Sequence, residues 1–197
     1  MSFGLEDVVA TIRHRSDFSS RLCLAPMELR VEDDWIGRLL ALWEGRRKGA
    51  RLPSRADFDS VELMAMSRGR SHIVDTTADQ PTGYFFRLWG STVSLDRGAD
   101  YTKVRLGGMP HTTMRDAAIE DYADVVATGV PAYQLVCHVQ GFMPYSYARL
   151  LLPLASNGRQ VDQVLVSINE RDIPELMPAQ PDQTFGEPNL RLVRDRH

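Results

Sequence analysis

The sequence predicts an α+β domain, a five-stranded antiparallel sheet with a helical lobe on one face and an N-terminal flanking helix. Three observations predict it. Two strand-like runs rich in aromatic and β-branched residues precede the middle of the chain, and three follow it. Between them lies the clearest helical pattern, "TTMRDAAIEDYADVVATG". The last two strand runs are joined through Asn157-Gly158, a strong hairpin signal. Strands in groups of two and three around a helical segment close most simply into one sheet covered on one side. With 197 residues, 43% hydrophobic and 25% charged, the chain can bury one good core.

Residues 1–32 read as a variable extension with a weakly helical beginning at Leu5, Val8, Val9 and Ile12. The segment "DDWIGRLLALWEGRRKG" follows. Its acids precede and its cations end a wide apolar stripe of Trp35, Ile36, Leu39, Leu40, Leu42 and Trp43, and Gly49 closes it, as the helix dipole and a left-handed cap favour. Asp59, three residues before Glu62, has the spacing of a capping box and starts a short helix. Strands are expected over 71–77 and 83–90, separated by "ADQPT". Alternation in the second places Tyr84, Phe86 and Leu88 on one face and Phe85, Arg87 and Trp89 on the other. Residues 91–111 break into short pieces.

The long helix then buries Met114, Ala118, Tyr122 and Val125, turns Arg115, Asp116, Glu120, Asp121 and Asp124 outward, and stops at Gly129 and Pro131. "AYQLVCHVQ" alternates Tyr133, Leu135, Cys137 and Val139 against Gln134, Val136, His138 and Gln140. "YSYARLLLPLA" and "VDQVLVSIN" complete a meander through a type I′ turn, with Pro153 at an edge or bulge because it cannot donate to a ladder. The tail 171–197, with Pro174, Pro178, Pro181 and Pro188, reads as mostly irregular.

Charge limits the function classes. Residues 1–55 carry ten Lys/Arg and eight Asp/Glu, the remainder thirteen and eighteen, so +2 and −5 give the net −3. Five cations, Arg46, Arg47, Lys48, Arg51 and Arg55, crowd into eleven positions, and a nucleic-acid regulator would need them on one face. Their position at a helix C-terminus and the following turn explains them without a polyanion, and charge reversal at Arg46 and Arg47 is then expected to leave folding intact. The two cysteines, Cys23 and Cys137, match no metal-ligand spacing, and no signal peptide or membrane-span pattern occurs; the expectation is a cytoplasmic chain with reduced thiols and no membrane insertion.

In this order of elements, the Trp-containing helix, the connector "LPSRADFD", the strand "FRLWG" and the hairpin "YARLLLPLASNGRQVDQVLV" resemble the PAS sensory domain, and within it a stand-alone bacterial branch of alphaproteobacterial type. The resemblance spans 33–170. It departs from the branch in "GSTVSLDRGADYTKVRLGG", where Gly90, Gly98 and Asp100 match the pattern and a final glycine does not. It implies a non-enzymatic sensor that holds a small ligand, or meets a signalling protein, between sheet and lobe, working through partner contact or a homodimer.

Candidate pocket residues are Arg87, Trp89, Tyr122, Tyr133 and His138. Arg87 suits an anionic ligand, or an exposed Arg stacked on Phe85 and Trp89. His111 and His138 are the haem-ligand candidates by analogy with haem-binding relatives, against the far commoner hydrogen-bonded histidine. Flavin chemistry lacks the light-sensing helix motif around a cysteine, and Cys137 fits a small core residue. For a homodimer, Trp35, Leu39 and Trp43 would pack on the sheet while Ile36 and Leu40 meet a second subunit. The enzyme alternative is a small-pocket NTF2-like fold, for which His138 and Asp75 are the acid–base pair to test.

Overall fold

The computed structural model describes residues 13–16, 20–26, 34–110, 113–140 and 143–170. In chain order the strands are β1 (Arg13–Ser16), β2 (Ser20–Pro26), β3 (Ser71–Asp75), β4 (Phe85–Leu88), β5 (Ala132–Gln140), β6 (Met143–Leu154) and β7 (Gln163–Glu170). The helices are α1 (Asp34–Arg46), α2 (Ser60–Ser67), α3 (Ser91–Arg97) and α4 (Thr113–Thr128). The five expected strands form one antiparallel sheet in the order β5-β6-β7-β3-β4. The alternation and turn signals were enough to find each of them.

The N-terminal segment departs from expectation. Residues 13–16 and 20–26 are a hairpin whose second strand pairs antiparallel with β5, so the sheet continues to seven strands instead of ending at β5. The register sets Leu22 opposite His138, Cys23 opposite Cys137 and Leu24 opposite Val136. An unpaired edge strand is a liability, and the hairpin covers it. At the other edge, the segment after α3 does the same for β4: Lys103 N–H donates to Phe86 O (2.7 Å) and Leu106 N–H to Tyr84 O (2.8 Å). The helical beginning read at Leu5 to Ile12 and the 171–197 tail lie outside the described residues.

Helix α1 spends its apolar stripe inside its own chain. Trp35, Ile36, Leu39 and Trp43 are all buried, Ile36 and Leu39 completely, and Trp43 Nε1–H donates to Pro153 O at 2.9 Å. At about 2 kcal/mol for each large side chain, this burial alone accounts for the width of the stripe. The expected division of labour, with Ile36 turned toward a second subunit, does not hold, because Ile36 packs in the same core cluster as the other three. Leu40 is half-buried against that cluster.

The connector earns its sequence. Ser54 and Asp57 form a reciprocal capping box, and Asp59 accepts from Glu62 N–H (2.8 Å) to start α2. Leu52 N–H then reaches Gly158 O and Ala155 N–H reaches Pro53 O, fastening the connector to the β6–β7 end. That turn is not type I′. The connection runs over residues 155–162, where Gly158 N–H donates to Ala155 O; Gly158 has positive φ (71°), Asn157 does not, and the Asn157 side chain accepts from the Arg159 and Gln160 N–H groups. Pro153 pairs with Val164 beyond the end of β5, which spares its missing N–H a partner.

The basic cluster is a network of internal contacts. Arg46 pairs with Glu62 (3.2 Å), Arg47 with Glu44 (3.0 Å) and Lys48 with Asp57 (3.3 Å). Arg51 donates to Thr128 O at the C-terminus of α4, and Arg55 to Phe58 O. These cations serve several elements and do not share one free face. Among the described residues no helix is long and apolar enough to cross a membrane.

Candidate functional site

Alternation decides what the sheet offers on each face. On β3, His72 and Val74 point one way and Ser71, Ile73 and Asp75 the other; β6 and β7 continue the first face with Tyr147, Arg149, Val166 and Ile168. Over that face α4 and the segment around α3 arch away from the sheet and leave a cavity of about 330 Å³. Phe86, Trp89, Tyr101 and Leu106 wall it on one side, Met114, Arg115, Ala118 and Tyr122 on the other.

Trp89 is the residue that alternation misplaces. Strand β4 ends at Leu88, and the chain turns as Trp89 N–H donates to Thr102 Oγ1 (3.2 Å) and Gly90 N–H to His72 Nδ1 (3.1 Å). The indole is thereby laid on His72, ring centroids 3.8 Å apart and 19° from parallel, with Phe86 and Tyr101 edge-on at 4.6 and 5.1 Å. A Cβ on Gly90 would stand 2.3 Å from Gly69 O and 2.9 Å from Ser71 O, so only glycine lets this turn sit against β3. Because Nδ1 of His72 accepts, its ring is neutral with the proton on Nε2. The Trp89 indole N–H is buried and has no hydrogen-bond partner among the described residues.

Beneath α4 lies a buried polar triad. Asp121 and Arg149 form an ion pair with 1% and 6% of their side-chain surface exposed. Gln134 ties them together, accepting from Arg149 Nε (2.8 Å) and donating to Asp121 Oδ1 (3.2 Å). Burial works against the guanidinium's charge, and Asp121, with Tyr147 and Tyr122, outweighs it, holding Arg149 above its ordinary pKa. Nη2 is given to Asp121 and Nε to Gln134; Nη1 makes no hydrogen bond among the described residues, and Arg149 lines the cavity. Burial pushes the neighbouring Tyr122 phenol far up, so it is a neutral donor at any physiological pH.

Sequence reasoning thus placed Tyr122 and Trp89 at the cavity and missed Arg149, Arg115 and His72. Asp121 and Arg115, expected on the solvent face of α4, are buried and part-buried. Arg115 holds Asp116 and the Met109 carbonyl while lining the cavity. His72 was legible from its alternation with Ser71 and Ile73. Nothing local marks Asp121, because its partner lies 28 residues away.

Other candidates fall elsewhere. Arg87 lies on the opposite face of the sheet, with 54% of its side chain exposed, where it grips Asp75 (2.7 Å) and stacks over Phe85. Burial opposes ionisation of Asp75, but hydrogen bonds from Thr77 and Arg87 overcome it and lower its pKa. Tyr133 is buried on that same opposite face, paired in register with Leu150. His138 occupies β5 opposite Tyr145, its side chain outside the described residues, as is all of His111. Asp75 and His138 are separated by β7 and β6, about 14 Å at ordinary strand spacing, so they do not converge as an acid–base pair. No group of three or more His, Cys, Asp or Glu suited to a metal occurs among the described residues.

No curated protein and no solved structure matches the chain. A family model described as PAS domain matches residues 32–168, which takes in α1, the five-stranded sheet, the cavity and the triad. Fold, strand order and match agree, and the chain belongs to the PAS domain family, with the sensory and signalling role that family membership carries.

Proposed function

We propose that this domain senses a small organic anion held between α4 and the sheet, and reports its presence to a signalling partner. One observation carries the reading. Among the described residues, the polar side chains lining the cavity are His72, Arg115, Arg149 and three tyrosines, with no carboxylate and no carboxamide among them. The buried Trp89 N–H and Nη1 of Arg149 are donors without an acceptor among the described residues, whereas the acids balancing the arginines, Asp121 and Asp116, stand outside the lining. Such a wall favours a carboxylate over a neutral or cationic group, since charge-assisted hydrogen bonds are the stronger ones. The aromatic platform suits a flat apolar body, and the volume equals about eleven waters in the liquid.

The output is contact with a protein partner. Arg149 touches the cavity and, through Asp121, ties α4 to the sheet, so a second carboxylate on the guanidinium competes for the bond that fixes α4. The reading is one of binding, not catalysis, and the buried stripe of α1 favours partner contact over an α1-mediated homodimer. The likeness of the connector and hairpin to the stand-alone bacterial branch supports a sensor of the same kind.

Native mass spectrometry of the chain as purified, followed by thermal-shift titration with phenylacetate, phenylacetamide and phenethylamine, tests this. A bound acid, or a rise in Tm with phenylacetate and not with the amine, is expected. A bare protein unmoved by all three refutes ligand sensing, and equal response to the amide refutes the preference for an anion.

A further inference from the structure

The chain has two cysteines, 114 positions apart, and the sheet sets them directly opposite each other: Cys23 on β2 is the register partner of Cys137 on β5. Directly opposed residues of an antiparallel pair have Cα atoms about 4.5 or 5.5 Å apart, according to whether the pair is hydrogen-bonded. Both values fall within the roughly 4.4–6.8 Å that a disulfide spans. Opposed residues also project from the same face of the sheet. Any other alignment by one residue would put the two on opposite faces, so the register and the cysteine positions agree with each other.

We propose that Cys23 and Cys137 are a reversible redox pair, and that their disulfide locks the N-terminal hairpin to the β5 edge of the sheet. The oxidant is a peroxide. One thiolate attacks a peroxide oxygen, the O–O bond breaks, and a sulfenic acid forms with release of water or an alcohol. The second thiol then attacks the sulfenic sulfur, forming the S–S bond and expelling the oxygen as a second water. Two thiols are oxidised by two electrons, and the peroxide is reduced by two. A dithiol carrier restores them by exchange.

Reduction by the dithiol carrier makes the bridge conditional on peroxide, which suits regulation in a reducing compartment, where permanent structural bridges are rare. The lock matters to the hairpin because β2 is held to the rest of the protein by its ladder with β5. In the reduced state the hairpin is held by that ladder, and the β5 edge is open to exchange with another strand when the hairpin leaves. In the oxidised state, Cys23 and Cys137 fix the edge as closed.

The test uses the full chain. The reduced protein is exposed to hydrogen peroxide, alkylated under denaturing conditions and mapped by peptide mass spectrometry without reductant. Expected is a single intramolecular crosslink between the peptides holding Cys23 and Cys137, reversed by dithiothreitol and absent from Cys23→Ser and Cys137→Ser. Oxidised wild type should melt about 5–15 °C above reduced wild type, since the bridge closes a loop of more than 100 residues. Amide exchange in residues 20–26 should slow on oxidation in wild type and stay unchanged in both serine variants. Free thiols over-oxidised singly to sulfinic acid, or crosslinks only between two chains, would overturn the proposal. So would a disulfide that leaves Tm and exchange of the hairpin unchanged, which would remove the lock. Because the Tm and exchange comparisons use wild type in its two redox states, a serine variant that folds poorly does not decide the outcome.

Discussion

Removing Asp121 alone should damage this protein more than removing Asp121 and Arg149 together. Arg149 keeps only 6% of its side-chain surface exposed and Asp121 1%, so either charge left without the other has almost no water to turn to. Breaking one partner of such a pair costs about 3–5 kcal/mol, whereas replacing both with apolar residues of similar volume is often neutral. Asp121→Leu and Arg149→Met are each expected to cost about 4 kcal/mol. Additivity would put the double variant near 8 kcal/mol; it should instead lose only about 1 kcal/mol, chiefly for Gln134, which loses both of its partners. Urea unfolding followed by tryptophan fluorescence reads this directly, provided the slope with denaturant is the same for all four proteins. If a single variant proves too unstable to fold, recovery of a cooperative transition in the double variant is the same result in stronger form. Singles costing under about 1 kcal/mol, or a double that equals their sum, would mean that the pair is solvated and cannot couple α4 to the cavity.

Three further outcomes follow from the same geometry. Gly90→Ala should cost about 2–3 kcal/mol, because its Cβ meets the Gly69 and Ser71 carbonyls and neither is a flexible side chain; a Tm within error of wild type would show that the turn yields. Asp75→Asn should be destabilising at neutral pH, with the difference fading in acid. The folded pKa of Asp75 is depressed, so its contribution is full above the unfolded value of about 3.9 and is lost as pH falls through the folded value. Parallel stability curves for wild type and variant from pH 7 down to 2 would contradict that assignment. Reversing Arg46 and Arg47 to Glu should cost about 1–2 kcal/mol, more than the near-zero effect expected of a free basic surface, since Glu62, Glu44 and the Arg51 carbonyl lose their partners. An unchanged urea midpoint would return the cluster to the status of a solvated face.

Features that depend on neighbours a few residues away are legible in the sequence. Alternation in "YFFRL" and "AYQLVCHVQ", the acid-to-base run of α1, the Asp59 cap and the Gly129 stop are each local, and each marks a strand, a helix or an end that the structure contains. The five core strands and the helical lobe follow from those signals in order. Features that need two distant segments at once are settled only when the chain has folded. Asp121 sits one residue before Tyr122, about 100° round the helix, and reads as solvent-facing until the sheet beneath α4 supplies Arg149. Trp89 crosses to the cavity because Gly90 and Thr102 turn the chain after β4, which alternation carried past the strand's end cannot register. The five cations from Arg46 to Arg55 look unmatched in sequence, and their acids and carbonyls come from α1, α2, the connector and the end of α4. Cys23 and Cys137 likewise have no relation in sequence, and face each other only because β2 takes the edge of the sheet beside β5. A residue type and its spacing fix which way a side chain points on its own element; which charge, ring or thiol it meets depends on where the chain returns.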